Sequence, residues 1–202
     1  NLNRDEINEW DNPYYGFPQM IRFAFNPNQA SRLKLESLKK SGVTFAFSKL
    51  FEPNSIKKDR ENNRHKLFKN EQEILELLQV IDGSKLDENL LGFLDYDKIK
   101  EGKMCRHMVM VLPYCASCDA MEELLRQHKN TFKNFGDYEI INISGVDSTQ
   151  KYKKPSDIKN KIKECEKLDR KTLTLTVNRM LTGATVEEWD TMLYFKDTSS
   201  PK

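Results

Sequence analysis

Two cysteines three apart, Cys115-Ala116-Ser117-Cys118, follow an apolar run and open a helical pattern. At the start of a helix the aligned peptide dipoles lower a thiol pKa, which is the physics of dithiol oxidoreductases. The order strand, Cys-x-x-Cys, helix, strand over Val109 to Ile143 suits a thioredoxin-like enzyme using Cys115 and Cys118. Such folds also place a proline before a later strand facing the cysteines, and neither Lys171–Val177 nor Thr191–Phe195 opens with one. Two small side chains packing a strand–helix junction is the simpler reading. Zinc needs two further ligands at close spacing, whereas Cys105, Cys165, His65, His107 and His128 are scattered. No Gly-x-Ser-x-Gly elbow is present, and His107 and His128 read as a strand-entrance and a half-buried helix residue. No Gly-x-x-x-x-Gly-Lys-Ser/Thr loop exists, and no strand ends in an Asp-Glu pair, so this chain lacks the means to wrap an ATP tail by itself.

The elements that must hold these residues follow from periodicity. Met108 to Leu112 is a continuous apolar run, as in a parallel strand buried on both faces. Met121, Leu124, Leu125 and His128 share a helix face, with Asp119 and Glu122 spaced as a capping box. Tyr138 to Ile143 is a second strand ending at Ser144-Gly145. Pro155-Ser156-Asp157 starts a helix striped by Ile158, Ile162 and Cys165, and Leu173–Val177 and Thr191–Phe195 are further buried strands. This alternation predicts an α/β domain with a parallel sheet. Upstream the texture is irregular: strands are expected at Gln19–Phe25 and Val43–Phe47, a mobile loop at Lys57–Lys69, a helix at Glu71–Ile81 stopped by Gly83, and an apolar linker at Leu86–Leu94. The lysines between 151 and 167 read as a solvated face diluted by Asp157, Glu164 and Glu166.

Composition bounds the rest. The 202 residues carry 33 basic and 31 acidic side chains, a net charge of +2 that does not by itself announce nucleic acid. Four cysteines are too few for a disulfide scaffold, which favours a reducing, cytoplasmic setting, and no apolar run reaches the roughly 20 residues of a membrane span. With Asn1 first and a polar Asp197–Lys202 last, both ends read as cut.

The run from Leu173 through Thr176-Val177-Asn178, Leu181-Thr182-Gly183 and Trp189-Asp190 to Phe195 resembles motif V of the second RecA-like lobe of superfamily-two helicases. The flavour is that of the motor subunits of type III and type I restriction enzymes. Val109 to Met121 resembles motif IV, and Tyr138 to Gly145 the next strand of that lobe. The resemblance divides the chain into an inter-lobe or inserted region, 1–103, matched loosely through Asn12–Pro18, and a partial second lobe, 104–202. It implies nucleic-acid backbone contacts by Tyr114, Ser117, Thr176, Asn178, Thr182 and Gly183. It sets Thr185, where many members carry an aspartate, on the nucleotide side. The arginine-finger helix Gln-x-x-Gly-Arg-x-x-Arg that follows motif V in the family is not in this sequence. The implied parent binds ATP and Mg between two lobes and moves along DNA by alternating grips, with a nuclease, methyltransferase or specificity partner. This portion is then expected to be inactive alone, without catalytic residues or metal ligands. A non-catalytic interaction module is the remaining alternative.

Overall fold

The computed structural model describes residues 47–84, 105–146, 151–177 and 186–196. The elements are α1 (Phe47–Leu50), α2 (Glu71–Asp82), β1 (His107–Leu112), α3 (Cys115–Gln127), β2 (Tyr138–Asn142), α4 (Pro155–Lys167), β3 (Lys171–Val177) and β4 (Thr191–Tyr194), with a short 3-10 turn at Arg64–Lys66. The four strands form one sheet in the order β2-β3-β1-β4. Each pairing is parallel, with Met108 opposite Leu173 and Thr191, and Ile140 opposite Leu173. The expected α/β class with a parallel sheet is borne out, in a form compatible with part of a RecA-like lobe.

The order fixes where the helices go. From β1 the chain moves two places across the sheet to β2, then returns one place to β3. Right-handed crossovers in opposite directions put their helices on opposite faces. Accordingly Cys118, Met121, Leu124 and Leu125 of α3 join Met108, Met110, Leu112, Leu173, Leu175 and Leu193 in one cluster. Ile158 and Ile162 of α4 join Ile141, Ile143 and Val186 in a second, with Trp189 against it. The period of two is visible in β2, whose Ile140 packs on the first cluster and Ile141 in the second.

Helix boundaries follow local chemistry. At the end of α2, Gly83 takes the left-handed conformation at φ 80°, and its N–H returns to Val80 O, so the predicted stop is real. At the start of α4, Asp157 Oδ2 accepts the N–H groups of Lys153 and Lys154, 3.0 Å each, beside Pro155 at the first helical position. α3 departs from expectation. It begins at Cys115 with Tyr114 as its N-cap, so Asp119 lies in the second turn and caps nothing.

Three further expectations change. Phe47 opens α1 rather than closing a strand; residues 43–46, like Gln19–Phe25, Asn12–Pro18 and Leu86–Leu94, lie outside the described residues. The polar segment 57–69 is built, not loose. Asp59 accepts N–H groups from Glu61 and Asn62 and pairs with Arg64 at 2.6 Å, while the Asp59 N–H donates to His65 Nδ1 at 3.1 Å. The Arg64 hydrogen bond, helped by those backbone donors, pulls the Asp59 carboxyl down to about 2. His65 itself is fully buried. β4 was expected to be buried, but Met192 and Tyr194 stay exposed on one face at 51% and 37%, because only its Leu193 side meets the core.

Residues 47–84 share the core of the sheet. Phe51 stacks on Phe195 with centroids 4.9 Å apart and meets Phe68 edge-on at 6.1 Å. At the other end the buried Asp82 carboxylate accepts N–H groups from Lys133, Asn134 and Phe135 at 2.7 to 2.9 Å, ahead of β2. Phe51→Ala should therefore destabilise the whole unit by about 3–5 kcal/mol. Urea unfolding followed by far-ultraviolet circular dichroism is expected to show one cooperative transition moved to lower urea. A transition that leaves the sheet in place would contradict the shared core.

Candidate nucleic-acid interface

In open parallel sheets ligands bind beyond the carboxyl ends of the strands, where the strand order reverses. Here that edge is made by the residues after Leu112, Asn142 and Val177, and the reversal falls at β1, between β3 and β4. Tyr114, half-buried, caps α3 at this edge. Ser117 and Thr176 come to the same edge, but both are fully buried. Ser117 Oγ donates to Phe51 O at 2.6 Å, and Thr176 Oγ1 lies 3.0 Å from Ser144 Oγ. Their hydroxyls therefore already have protein partners. Asn178, Thr182, Gly183 and Thr185 lie outside the described residues.

Between α3 and the strand ends sits a polar cluster that periodicity did not flag. Asp119 Oδ1 accepts from Asn142 Nδ2 at 3.0 Å, and its Oδ2 accepts the Val146 N–H at 2.7 Å. Asn142 Nδ2 also donates to Glu122 Oε2 at 3.2 Å, while Asn142 Oδ1 accepts the N–H groups of Ser144 and Gly145. Glu122 in turn holds Arg126 at 2.7 Å. With two donors and two acceptor positions filled, the amide of Asn142 has one orientation that fits. The sequence signal was an Asn ending an apolar strand just before Ser144-Gly145.

The cysteine pair meets different surroundings from a redox site. Cys118 is fully buried, and burial pushes its thiol well above the ordinary value, with the neighbouring Cys115 and Asp119 adding to the effect. All four cysteines are free thiols. The strands around the pair are all parallel, so the arrangement is that of small side chains packing a strand–helix junction.

The amino edge of the sheet carries a second polar cluster. His107 opens β1, as expected of a strand-entrance residue, with Nδ1 2.9 Å from Thr172 Oγ1 and Nε2 donating to Glu166 Oε2 at 2.5 Å. Arg106 pairs with Glu166 at 3.2 Å and Asp169 at 2.9 Å. Asp190 Oδ2 accepts the N–H groups of Arg106 and His107, at 3.0 Å each, and so closes the entrance to β4. Partial burial works against the Glu166 charge, but the hydrogen bonds from His107 and Arg106 outweigh it and hold the carboxyl below its usual value. The Thr172 hydroxyl is fully buried, so this hydroxyl–imidazole–carboxylate row joins α4 to the sheet and offers no accessible nucleophile. His128 caps α3 and stands 3.9 Å from Glu71. Among the lysines of α4 and its approach, Lys161 reaches Glu139 and Glu164, and Lys163 reaches Glu188, at 3.8 to 4.0 Å.

These features define a layered α/β lobe with a parallel sheet, a structured carboxyl edge and a purely structural amino edge. Over 154 residues, 75% of its length, the chain is 30% identical to a Mycoplasma pneumoniae protein described as "Putative type II restriction enzyme and methyltransferase RM.MpnORF110P C-terminus". The match takes in 20% of that protein, so the chain spans about a fifth of the length of the relative. No family model and no solved structure matches the chain. Among the described residues no helix is long and apolar enough to cross a membrane.

Two measurements check this geometry. Cys118 should resist iodoacetamide in the folded chain and react once urea unfolds it, and mass spectrometry should find no Cys115–Cys118 disulfide cycling with a thioredoxin-like couple. For Glu166 the folded pKa is depressed, so its stabilising contribution is present above the usual carboxylate value and lost as the pH falls through the lower folded one. His107→Ala should raise the Glu166 pKa toward 4.5 in a carbon-detected NMR titration and flatten the acid limb of the stability curve. An unchanged titration would show that the His107 contact does not act on Glu166.

Proposed function

We propose that this chain is part of the second RecA-like lobe of an ATP-dependent DNA helicase or translocase in a restriction–modification system, and that its carboxyl edge holds the backbone of one DNA strand. The observation that carries the reading is the sheet. Its parallel strands in the order β2-β3-β1-β4 bring the ends of β1 and β3 side by side at that edge. Those are the segments whose sequences resemble motifs IV and V. The similarity to a protein described as a restriction enzyme and methyltransferase supplies the restriction setting.

The contacts are of the positioning kind, made to phosphate and sugar without reading bases. Tyr114 presents its ring and hydroxyl beside the first turn of α3. Ser117 and Thr176 shape the edge from within through their bonds to Phe51 and Ser144. Asn178, Thr182 and Gly183 continue from β3 and offer amide, hydroxyl and close-approach main chain to phosphate oxygens, with Thr185 toward the nucleotide. ATP and Mg belong to the parent protein. The residues here do not fit them by themselves: the sequence has no phosphate-wrapping loop, and no three His, Cys, Asp or Glu side chains converge among the described residues. The first lobe and a nuclease, methyltransferase or specificity partner complete the machine, in the cytoplasm.

The test is fluorescence anisotropy with a labelled oligothymidylate of about 20 nucleotides. Affinity should weaken as salt rises, with a slope of about −0.7 per phosphate contacted. The pair Asn178→Ala with Thr182→Ala should weaken it further, while the chain alone turns over no ATP in the presence of that DNA. Binding that is absent, or indifferent to salt, would favour a non-catalytic interaction module instead.

A further inference from the structure

The polar cluster at the carboxyl edge does more than fill space, because its hydrogen bonds run in one direction along the sheet. They start on α3 at Asp119, cross to Asn142 at the end of β2, and pass through Ser144 to the end of β3. There Ser144 Oγ lies 3.0 Å from Thr176 Oγ1 and accepts the Val177 N–H at 3.3 Å. The Ile143 N–H, donating to Leu175 O at 3.1 Å, extends the β2–β3 ladder past the last residue of β2. Val177 is the residue before Asn178, so the relay ends where the proposed DNA-contacting segment begins.

Gly145 shows how closely the parts are fitted. A Cβ at that position would stand 2.0 Å from Asp119 Oδ1 and 2.7 Å from Asn142 Nδ2. Asp119 has little freedom to retreat, because both of its oxygens are held, by Asn142 and by the Val146 N–H. The cluster is also enclosed: Asp119, Asn142, Ser144 and Thr176 are all buried. In such a setting partners cannot be exchanged for water without cost, so the relay has one low-energy arrangement.

We propose that Asp119, Asn142, Ser144 and Gly145 are positioning residues for nucleic-acid binding: they fix the chain leaving β3 so that the residues from Asn178 onward meet the phosphates of a DNA strand. This rests on the function proposed above and deepens it by naming what sets the geometry of the grip. None of the four touches DNA in this account. Asp119 and Glu122 are carboxylates and would repel a phosphate, and their tie to Asn142 and Arg126 keeps them turned to the protein.

The experiment uses the same labelled oligothymidylate with Ser144→Ala and Gly145→Ala, which break the relay at different points, and Ser144→Thr, which keeps the hydroxyl. Losing one buried hydrogen bond is worth about tenfold in affinity. Ser144→Ala and Gly145→Ala should each bind about tenfold more weakly, with a salt slope shallower by about one phosphate contact. Ser144→Thr should restore both. Faster hydrogen exchange at the Val177 amide should accompany the loss. Wild-type affinity and slope in a folded Ser144→Ala protein, with faster exchange at Val177, would overturn the inference, since the relay would then be packing alone. Should Gly145→Ala fail to fold, Ser144→Ala and Ser144→Thr decide. Absence of DNA binding by the wild-type chain would overturn the proposed function and this inference together, a result distinct from the first.

Discussion

A strand enclosed on both faces must satisfy its main chain entirely through its neighbours, and β1 is that strand. Every residue from His107 to Leu112 is buried, so its N–H and C=O groups have only other strands to bond. β3 on one side and β4 on the other meet the need, both parallel to it. Parallel neighbours require long crossovers, and the crossovers require helices to cover the faces. α3, α4 and the segment 47–84 are consequences of that requirement. It also brings the ends of β1 and β3 together at the carboxyl edge, where the proposed contacts with DNA lie.

The second constraint is polar. β3 alternates Thr172, Thr174 and Thr176 with Leu173, Leu175 and Val177, and all six are buried. The apolar set joins the main core, leaving the hydroxyls turned to the opposite layer. Each has a partner there: His107 for Thr172, the Trp189 indole N–H for Thr174 and Ser144 for Thr176. One strand thus links the amino-edge cluster, the loop before β4 and the carboxyl edge. The helical face of the sheet gains specificity from matched hydrogen bonds where the other face gains stability from apolar area.

The segment 47–84 belongs to the same body. Its aromatic end stacks on Phe195 just past β4, and its Asp82 end organises the approach to β2. It clamps one face of the sheet at two separated points, and Ser117 adds a third through Phe51 O. The polar run 57–69 is drawn into this arrangement because Phe68 and His65 are buried, which forces the charged residues between them into a defined turn around Asp59.

The amino-acid sequence by itself determined the elements whose signals are local. The apolar run at 108–112, the stripe of α2 with its glycine stop, and Pro155 with Asp157 at the head of α4 each depend on neighbours within one or two turns, and each stands where periodicity puts it. The α/β class follows from their alternation. Spacing also suggested a cap for Asp119, a loose loop at 57–69 and a buried fourth strand, and these changed because the deciding partners are far away in sequence. Asp119 is claimed by Asn142 and Val146, the loop by the burial of His65, and Met192 and Tyr194 by the lack of a covering layer over their face. The carboxyl-edge relay was illegible for the same reason. An aspartate, an asparagine and a serine become one hydrogen-bonded chain only when a parallel sheet sets the ends of β2 and β3 side by side beneath α3, and hydrogen bonds of that reach leave no period in the sequence.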